Sequence, residues 1–275
     1  MPFKRVAVFY NSHKAYNQPI AQQAVDFLRT QNVQATLCTS LDNLDGIELV
    51  VSMGGDGTML RCARECAPKQ IPVFGINCGT LGFLAAAEKE ELAAALQTLL
   101  AGKCVSHKRL LLQATIQTPK ESQTFTAFND VVLHSSNMRA FFINASFNGT
   151  KMPAYFGDGV IVATPTGSTA YSLAAGGPIV EPNVEVMVVT PICPHSLHQR
   201  PIVLPANGTL LLRPSFKNKE DGSILSLDGQ MHLPLEENAM LELSRAPHTV
   251  QLLTLPQRGF FSVLHKKLSW GKEEC

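Results

Sequence analysis

Residues 50–60 read Val-Val-Ser-Met-Gly-Gly-Asp-Gly-Thr-Met-Leu, so a short apolar run passes into a glycine-rich turn and then into helix-like sequence. A continuous apolar run is expected of a strand that is covered on both faces. In an open α/β sheet, ligands bind at the carboxyl ends of such strands. The stretch therefore predicts a strand-turn-helix element with a ligand site at its turn.

The first hundred residues alternate short apolar runs with helical patterns. Their β-α-β order predicts a parallel, doubly wound α/β sheet. The predicted helix at 88–100 has acidic residues in its first turn and Gly102 just past its end, as expected at helix termini. The predicted strands span residues 6–9, 33–38, 47–53 and 71–76, and the predicted helices span residues 19–29 and 88–100.

Strand patterns replace helices after about residue 103, and Asn-Gly or Asp-Gly pairs mark the turns. This half is predicted to be an antiparallel β domain. A short helix or tight loop is expected at 168–175, and residues 259–270 are expected to pack back on the first domain. The predicted strands span 110–117, 124–134, 140–147, 160–163, 184–190, 209–212, 224–227, 240–243 and 250–255.

Composition narrows the class of protein without naming a function. The length of 275 residues suggests one large domain or two ordinary ones. Hydrophobic residues make up 45%, charged residues 16% and the net charge is +1, which argues against a disordered chain and against nucleic acid or an anionic membrane as a partner. No stretch reaches the roughly 18 apolar residues of a membrane span, and the N-terminus lacks the pattern of a signal peptide.

The cysteines and histidines give no metal-binding pattern. The chain has seven cysteines, an odd number with irregular spacing, which favours a reducing cytosol over a disulfide framework. Cys62 and Cys66 share a helical spacing, but nothing nearby completes a zinc site. His195 and His198 are interpreted as surface or satisfied histidines, so no side chain is assigned to a metal.

The turn at residues 54–58 combines glycines with one carboxylate. Glycines let the backbone approach a phosphate, and the following helix N-terminus offers N–H groups to an anion. Asp56 is therefore interpreted as a general base, or as the holder of a metal or hydroxyl group, beside a phosphate; a tight turn without function is the alternative. P-loop and Gly-x-Gly-x-x-Gly signatures are missing, which excludes a P-loop protein and disfavours hydride transfer.

Three further segments are candidates for ligand contact. Residues 75–84 form a second glycine loop, for which an inward-packed turn is the alternative. Asn129 and Asp130 interrupt an apolar strand predicted over 128–133, where a satisfied buried pair is the alternative. Residues 156–178 are rich in hydroxyls and glycines and could hydrogen-bond and stack on a flat ligand, or form only a polar loop.

The ordered blocks of these segments resemble the NAD kinase family. The blocks are Gly-Gly-Asp-Gly-Thr at 54–58, Asn-x-Gly-x-x-Gly-Phe-Leu at 77–84, Asn-Asp at 129–130, Asp-Gly at 158–159, Thr-Pro-Thr-Gly-Ser-Thr-Ala-Tyr-Ser at 164–172 and Gly-Gly-Pro at 176–178. The first block is shared with phosphofructokinases and diacylglycerol-type lipid kinases. The block at 164–172 is far more diagnostic.

The resemblance implies transfer of the ATP γ-phosphate to the 2′-hydroxyl of the adenosine ribose of NAD, with Mg²⁺ or another divalent cation accompanying ATP. It implies a Rossmann-like α/β domain (residues 1–102 with the returning segment 257–275) and an antiparallel β-sandwich domain (103–256), with the site between them. A cytoplasmic homodimer or homotetramer is also implied.

The resemblance also assigns roles to single residues. Asp56 is the implied general base, with Gly57 beside it. A phosphate loop comprises Gly54, Gly55 and Thr58. The implied contacts to NAD are Asn129, Asp130, Arg139, Asp158, Thr169, Ala170, Tyr171, Ser172, Leu173, Ala174 and Gln230.

One position departs from the family pattern. Family members often carry a basic residue two positions before Asp158, where this chain has Phe156; Arg139 or Lys151 are the possible substitutes. ATP or polyphosphate as donor, NAD or NADH as acceptor, and inhibition by NADP remain open. The alternatives to an NAD kinase are a lipid or sugar kinase that shares only the Gly-Asp-Gly loop, and a non-catalytic NAD(P)-sensing module.

Overall fold

The chain forms two compact units in a computed structural model that describes residues 3–79, 82–137, 139–218, 221–235 and 238–269. Unit 1 comprises residues 1–109 and 248–275, and unit 2 comprises residues 110–247. Residues 80 and 81 of the predicted second loop lie outside the described residues, as do residues 270–275 of the predicted returning segment.

Unit 1 is built on a parallel sheet, which confirms the predicted α/β fold. Strand β1 pairs in parallel with β2 and β3, and β3 pairs in parallel with β4. The short β5 pairs with the end of β4. The elements are β1 (Arg5–Tyr10), α1 (Gln18–Thr30), β2 (Gln34–Cys38), β3 (Leu49–Met53), α2 (Asp56–Cys66), β4 (Val73–Asn77), β5 (Ala87–Glu88) and α3 (Leu92–Leu100).

Burial explains why the apolar runs of unit 1 predicted strands correctly. Every residue of β3 and β4 is buried, as expected for strands of a sheet that is covered on both faces. Val51 and Phe74 share one core cluster with Leu28 of α1 and Leu96 of α3. The core therefore fixes the carboxyl ends of β3 and β4, where the glycine-rich loops begin.

Unit 2 is an all-β unit with one short helical segment. Its elements are β6 (Val105–Gln117, which begins in unit 1), β7 (Ser122–Ala127), β8 (Asp130–Ser135), β9 (Phe141–Phe147), β10 (Thr150–Lys151), β11 (Tyr155–Gly157), β12 (Gly159–Ala163), α4 (Tyr171–Ala174), β13 (Val186–Ile192), β14 (Ile202–Pro205), β15 (Leu210–Ser215), β16 (Ser223–Leu227), β17 (Met231–Leu235) and β18 (Met240–Thr254). A 3-10 turn at Thr166–Thr169 precedes α4.

The strands of unit 2 form two layers. One sheet has the order β14-β13-β12-β8-β16-β17, and each of its pairs is antiparallel. The other layer contains β10-β9-β15-β18, with β11 on β9 and β6 between β18 and β7. Leu112 and Leu212 of this layer share one core cluster with Leu133 and Val162 of the first sheet. This arrangement confirms the predicted antiparallel β-sandwich.

Two predicted strands, 240–243 and 250–255, are one strand, β18. Residues 241–243 pair with β15 in unit 2, and residues 252–253 pair in parallel with β4 in unit 1. After β18 the chain forms α5 (Phe260–Leu268), whose Leu264 is fully buried. Polar residues between the two apolar runs suggested a break that the long strand does not have.

The single strand predicted over residues 124–134 is wrong, because β7 ends at Ala127 and β8 begins at Asp130. The Asp228 carboxylate explains the break. It accepts hydrogen bonds from the backbone amides of Phe128, Asn129 and Asp130, at 3.0, 2.7 and 3.2 Å. These amides are thereby diverted from pairing with a neighbouring strand.

Candidate active site

In unit 1, the predicted phosphate loop joins the end of β3 to the start of α2. The Gly54 amide donates to the Ile76 carbonyl at 3.0 Å, and the Gly54 carbonyl accepts from the Cys78 amide at 3.3 Å. A Cβ atom at Gly54 would lie 2.4 Å from the Thr58 hydroxyl oxygen, so this packing requires glycine. The loop is therefore held against β4 and the first turn of α2.

Asp56 is the first residue of α2, and its half-buried carboxylate is fixed by a second loop. The Phe83 amide donates to Oδ2 at 2.9 Å, and the Leu84 amide donates to Oδ1 at 3.2 Å. A Cβ atom at Gly82 would lie 1.9 Å from Oδ1. The second glycine loop thus packs Phe83 and Leu84 and also orients the Asp56 carboxylate.

The remaining residues of the phosphate loop lie at the N-cap and in the first turn of α2, beside Asp56 in the chain. Gly55 precedes α2 as its N-cap residue, and its carbonyl accepts from the Thr58 amide at 2.9 Å. Gly57 is exposed, whereas Thr58 is buried. The start of a helix carries a partial positive charge that favours an anion.

In unit 2, a cavity of about 780 Å³ contains several of the predicted NAD contacts. Its predicted members come from the start of β8, the residue before β12 and the segment before and at the start of α4: Asn129, Asp130, Asp158, Ala170 and Tyr171. The other lining residues are Val132, His134, Ser135, Ile192, Cys193, Ser226, Asp228, Gly229 and His232. The volume is within the range of small-molecule sites.

Asp228 organises one wall of this cavity and was not among the predicted site residues. Its φ of 52° and the φ of 62° at Gly229 place both in the left-handed region, as in a tight hairpin turn. The turn brings the carboxylate to the three amides at residues 128–130. The sequence signal was present as the pair Asp228-Gly229, but it was interpreted only as a turn.

Asp130 lines the same cavity and is 5% exposed. Burial, reinforced by the neighbouring Asp228 carboxylate, raises the pKa of the Asp130 carboxyl to about 7. Within the described residues, the Asp130 side chain forms no hydrogen bond.

The block at 164–172 is fastened to the turn that carries Asn129. The Thr164 hydroxyl donates to the Phe128 carbonyl at 2.7 Å and accepts from the Gly167 amide at 2.9 Å. A Cβ atom at Gly167 would lie 2.0 Å from the Asn129 carbonyl oxygen. These contacts place Ala170 and Tyr171 at the cavity, where the Tyr171 side chain is 48% exposed.

Four neighbouring predicted contacts do not line the cavity. The buried Ser172 hydroxyl lies 2.8 Å from the hydroxyl of Thr190. The Thr169 hydroxyl donates to the Thr166 carbonyl at 3.3 Å. Leu173 is half-buried and Ala174 is exposed. In this structure the hydroxyls of Ser172 and Thr169 therefore stabilise the segment itself.

Arg139 and Gln230 also lie outside the cavity lining. The exposed Arg139 forms an ion pair with Asp221 at 3.5 Å, and Gln230 is exposed in the turn after β16. Phe156 stacks on Phe142, with ring centroids 4.5 Å apart. A cation does lie near Phe156, because the Lys217 ammonium is 5.6 Å from its ring centroid.

The described ranges contain neither a cluster of metal-binding side chains nor a membrane-spanning helix. There, no group of three or more His, Cys, Asp or Glu side chains is arranged to hold a metal ion. His195 and His198 are exposed, and His195 contacts the Phe156 ring edge-on. No described helix combines the length and apolar character that crossing a membrane requires.

Both halves of the chain match models of one protein family. The ATP-NAD kinase N-terminal domain matches residues 6–104, and the ATP-NAD kinase C-terminal domain matches residues 128–255. The NAD kinase of Treponema denticola is 38% identical over 276 residues, covering 98% of this chain and 97% of that protein. The chain belongs to the NAD kinase family. The NAD kinase of Symbiobacterium thermophilum is 43% identical over 225 residues, covering 81% of this chain and 79% of that protein.

Solved structures share the fold of this NAD kinase family member. A yeast NADH kinase in complex with NADH matches with a TM-score of 0.87 and 22% identity, covering 98% of this chain and 89% of the other. An NAD kinase from Archaeoglobus fulgidus in complex with ATP matches with a TM-score of 0.79 and 24% identity, covering 97% of this chain and all of the other. Matches to both domain models argue against a lipid or sugar kinase that shares only the Gly-Asp-Gly loop.

Proposed function

We propose that this member of the NAD kinase family transfers the γ-phosphate of ATP to the 2′-hydroxyl of the adenosine ribose of NAD, giving NADP. The observation that carries the proposal is the Asp56 carboxylate, which is oriented by the Phe83 and Leu84 amides. A ribose hydroxyl is a poor nucleophile, and an aligned carboxylate that accepts its proton makes it reactive.

The proposed step requires one proton transfer and one phosphoryl transfer. The 2′-hydroxyl gives its proton to Asp56 while its oxygen forms a bond to the γ-phosphorus. The bond from that phosphorus to the oxygen bridging to the β-phosphate breaks, and ADP leaves. Positioning and charge stabilisation dominate such reactions. The Asp56 carboxylate suits this role because each of its two oxygens accepts a hydrogen bond from a backbone amide.

The cavity of unit 2 supports binding of the dinucleotide. It offers a half-exposed Tyr171 ring for stacking and the polar side chains of Asn129, Asp130 and Asp158 for hydrogen bonding. Asp130 lacks a protein partner within the described residues, so we propose that it binds a hydroxyl or amino group of NAD. Contacts from Arg139, Gln230 and residues 169–174 stay predictions from the family resemblance.

The start of α2 is proposed to receive the ATP phosphates at Gly54, Gly55 and Thr58. The negative charge of the triphosphate requires cations, and we propose that Mg²⁺ or another divalent cation arrives as part of MgATP. The cation neutralises phosphate charge when bound. Backbone amides and the helix terminus are the protein's own contribution to holding the phosphates.

The assembly and location of the protein are also proposals. The low charge and high apolar content support a homo-oligomer, a dimer or tetramer, which light scattering would measure directly. The free thiols of the described cysteines support a cytoplasmic location. Fractionation of cells that express the chain would test this location.

Incubation with NAD, ATP and Mg²⁺ tests the proposed function. The expected product is NADP, with ADP formed in equal amount and the new phosphate placed on the 2′-oxygen by ³¹P NMR. Reactions with polyphosphate or NADH then rank donors and acceptors. Folded protein that binds NADP without turnover would support the sensing module instead, and phosphorylation of sugars or diacylglycerol would support the other kinase classes.

A further inference from the structure

The last helix of unit 1, α5, contacts the segment that orients Asp56. The Lys267 ammonium lies 5.8 Å from the centroid of the Phe83 ring. Phe83 is the residue whose amide donates to Asp56 Oδ2. The neighbouring residue, Lys266, contacts the Glu88 carboxylate with its ammonium at 3.0 Å.

Arg258, one residue before the N-cap of α5, makes the least exposed of these contacts. Its guanidinium lies 2.7 Å from a Glu91 carboxylate oxygen and 3.6 Å from a Glu88 carboxylate oxygen, and its side chain is 14% exposed. Glu88 and Glu91 also bind each other's backbone amides in a capping box. The hydrogen bond from the Glu88 amide lowers the pKa of the Glu91 carboxyl, and the hydrogen bond from the Arg258 guanidinium lowers it further.

The segment from Gly82 to Glu91 is therefore held at three levels. Its start binds the Asp56 carboxylate through two amides. Its middle is fixed to β4, because the Ala86 amide donates to the Gly75 carbonyl at 2.8 Å and β5 pairs with β4. Its end is fixed by Arg258 and Lys266. Only the middle anchor comes from the sheet.

We propose that Arg258 is a positioning residue for Asp56, assisted by Lys267 on the Phe83 ring. The inference rests on the proposed function. Without the guanidinium, the carboxylates of Glu88 and Glu91 lie together with less neutralisation, and the end of the segment keeps only the more exposed ion pair between Lys266 and Glu88. A displacement of about 1 Å in a positioning group is enough to reduce catalysis strongly, so small shifts of the Phe83 and Leu84 amides would be felt at Asp56.

Steady-state kinetics of Arg258→Met, Arg258→Lys and a matched control test the proposal. Arg5→Met is the control, since it removes another ion pair of unit 1, with Glu48 at 3.5 Å. We expect Arg258→Met to lower kcat by about tenfold with KM for NAD and ATP within about twofold. Arg258→Lys should recover part of kcat, and Arg5→Met should match wild type. Equal kcat in Arg258→Met and Arg5→Met would overturn the proposal.

Hydrogen exchange of the Phe83 and Leu84 amides provides a readout that does not depend on turnover. Arg258→Met should speed the exchange of both amides by about tenfold and leave the β1 amides unchanged, as expected for local opening. If Arg258→Met does not fold, Lys267→Met should give a smaller increase at Phe83. Unchanged exchange in the folded variant refutes the positioning role. Wild-type protein that makes no NADP refutes the proposed function instead.

Discussion

Each unit contains a carboxylate that accepts hydrogen bonds from backbone amides, but the two carboxylates have different roles. In unit 1, the carboxylate of Asp56 is itself the proposed reacting group, and the amides of Phe83 and Leu84 orient it. In unit 2, the Asp228 carboxylate accepts hydrogen bonds from three backbone amides and thereby fixes the backbone around Asn129 and Asp130.

The difference separates two kinds of preorganisation. An oriented carboxylate keeps lone pairs directed at a substrate hydroxyl. The Asp228 carboxylate, which accepts three backbone amide hydrogen bonds, instead holds other groups in place. The neighbouring Asp130 is buried, and its side chain forms no protein hydrogen bond among the described residues. We therefore expect changes near Asp56 to act on turnover, and changes near Asp228 to act on stability and dinucleotide affinity.

Among the variants that change how the two carboxylates are held, Gly82→Ala should give the largest effect, and it tests the unit 1 side of the comparison. The new Cβ atom would lie 1.9 Å from Asp56 Oδ1, so the carboxylate or its loop must move. We expect kcat to fall by about 100-fold. Gly79→Ala is the control, because a Cβ atom there meets nothing within 4 Å. Similar kcat values for the two variants would show that the close packing at Gly82 does not orient Asp56.

Asp228→Asn should give the next largest effect, and it acts on stability. Asparagine tolerates the positive φ of this position, but its amide cannot accept all three donors, so buried N–H groups lose their partner. Urea unfolding should show a loss on the order of 3 kcal/mol, with weaker NAD binding. The exposed Asp45→Asn should change neither. A stable Asp228→Asn protein with normal NAD affinity would contradict the assigned role.

Asp130→Asn tests the buried carboxyl of the cavity through pH. Its pKa is raised from 3.8 to about 7, so the folded state holds this proton more tightly than the unfolded state. The stability contributed by the group is complete below pH 4 and is lost as pH rises through 7. Relative to wild type, the variant should gain up to a few kcal/mol between pH 4 and 8. Parallel stability profiles for the two proteins would refute the raised pKa.

Ser172→Ala should have the smallest effect. It tests whether the Ser172 hydroxyl stabilises the fold, as its contact with Thr190 indicates, or contacts NAD, as the family resemblance implies. The Ser172 hydroxyl is buried against Thr190 at 2.8 Å. Its removal should cost about 1–2 kcal/mol of stability and leave KM for NAD nearly unchanged. A tenfold rise of that KM with unchanged stability would instead place Ser172 in contact with NAD, as the resemblance implies.

Local patterns in the sequence were sufficient to predict the parallel sheet and to single out Asp56. Continuous apolar runs marked the buried strands β3 and β4, and glycines marked the turn after β3. Both signals lie within about ten residues of chain. The residue pattern also marked Asn129, Asp130 and the segment 156–178 as candidates for ligand contact, and the family resemblance then assigned Asn129, Asp130, Asp158, Ala170 and Tyr171 to NAD.

Features that depend on distant residues were missed. The break before β8 is caused by Asp228, about a hundred residues later in the chain, and the Asp56 carboxylate is held by amides 27 and 28 residues away. The continuous β18 was divided in two because its polar middle resembles a turn. No local pattern specifies such pairings, since each depends on how the sheets bring separate segments together.

The role of Asp56 as general base is tested most directly by the rate of the chemical step in Asp56→Asn, with NAD and MgATP already bound, compared with the rate in Asp45→Asn. We expect single-turnover NADP formation to slow by about 1,000-fold or more, as when a general base is lost, while NAD affinity stays within a few-fold of wild type. A single-turnover rate within tenfold of wild type would contradict the assignment of Asp56 as the general base.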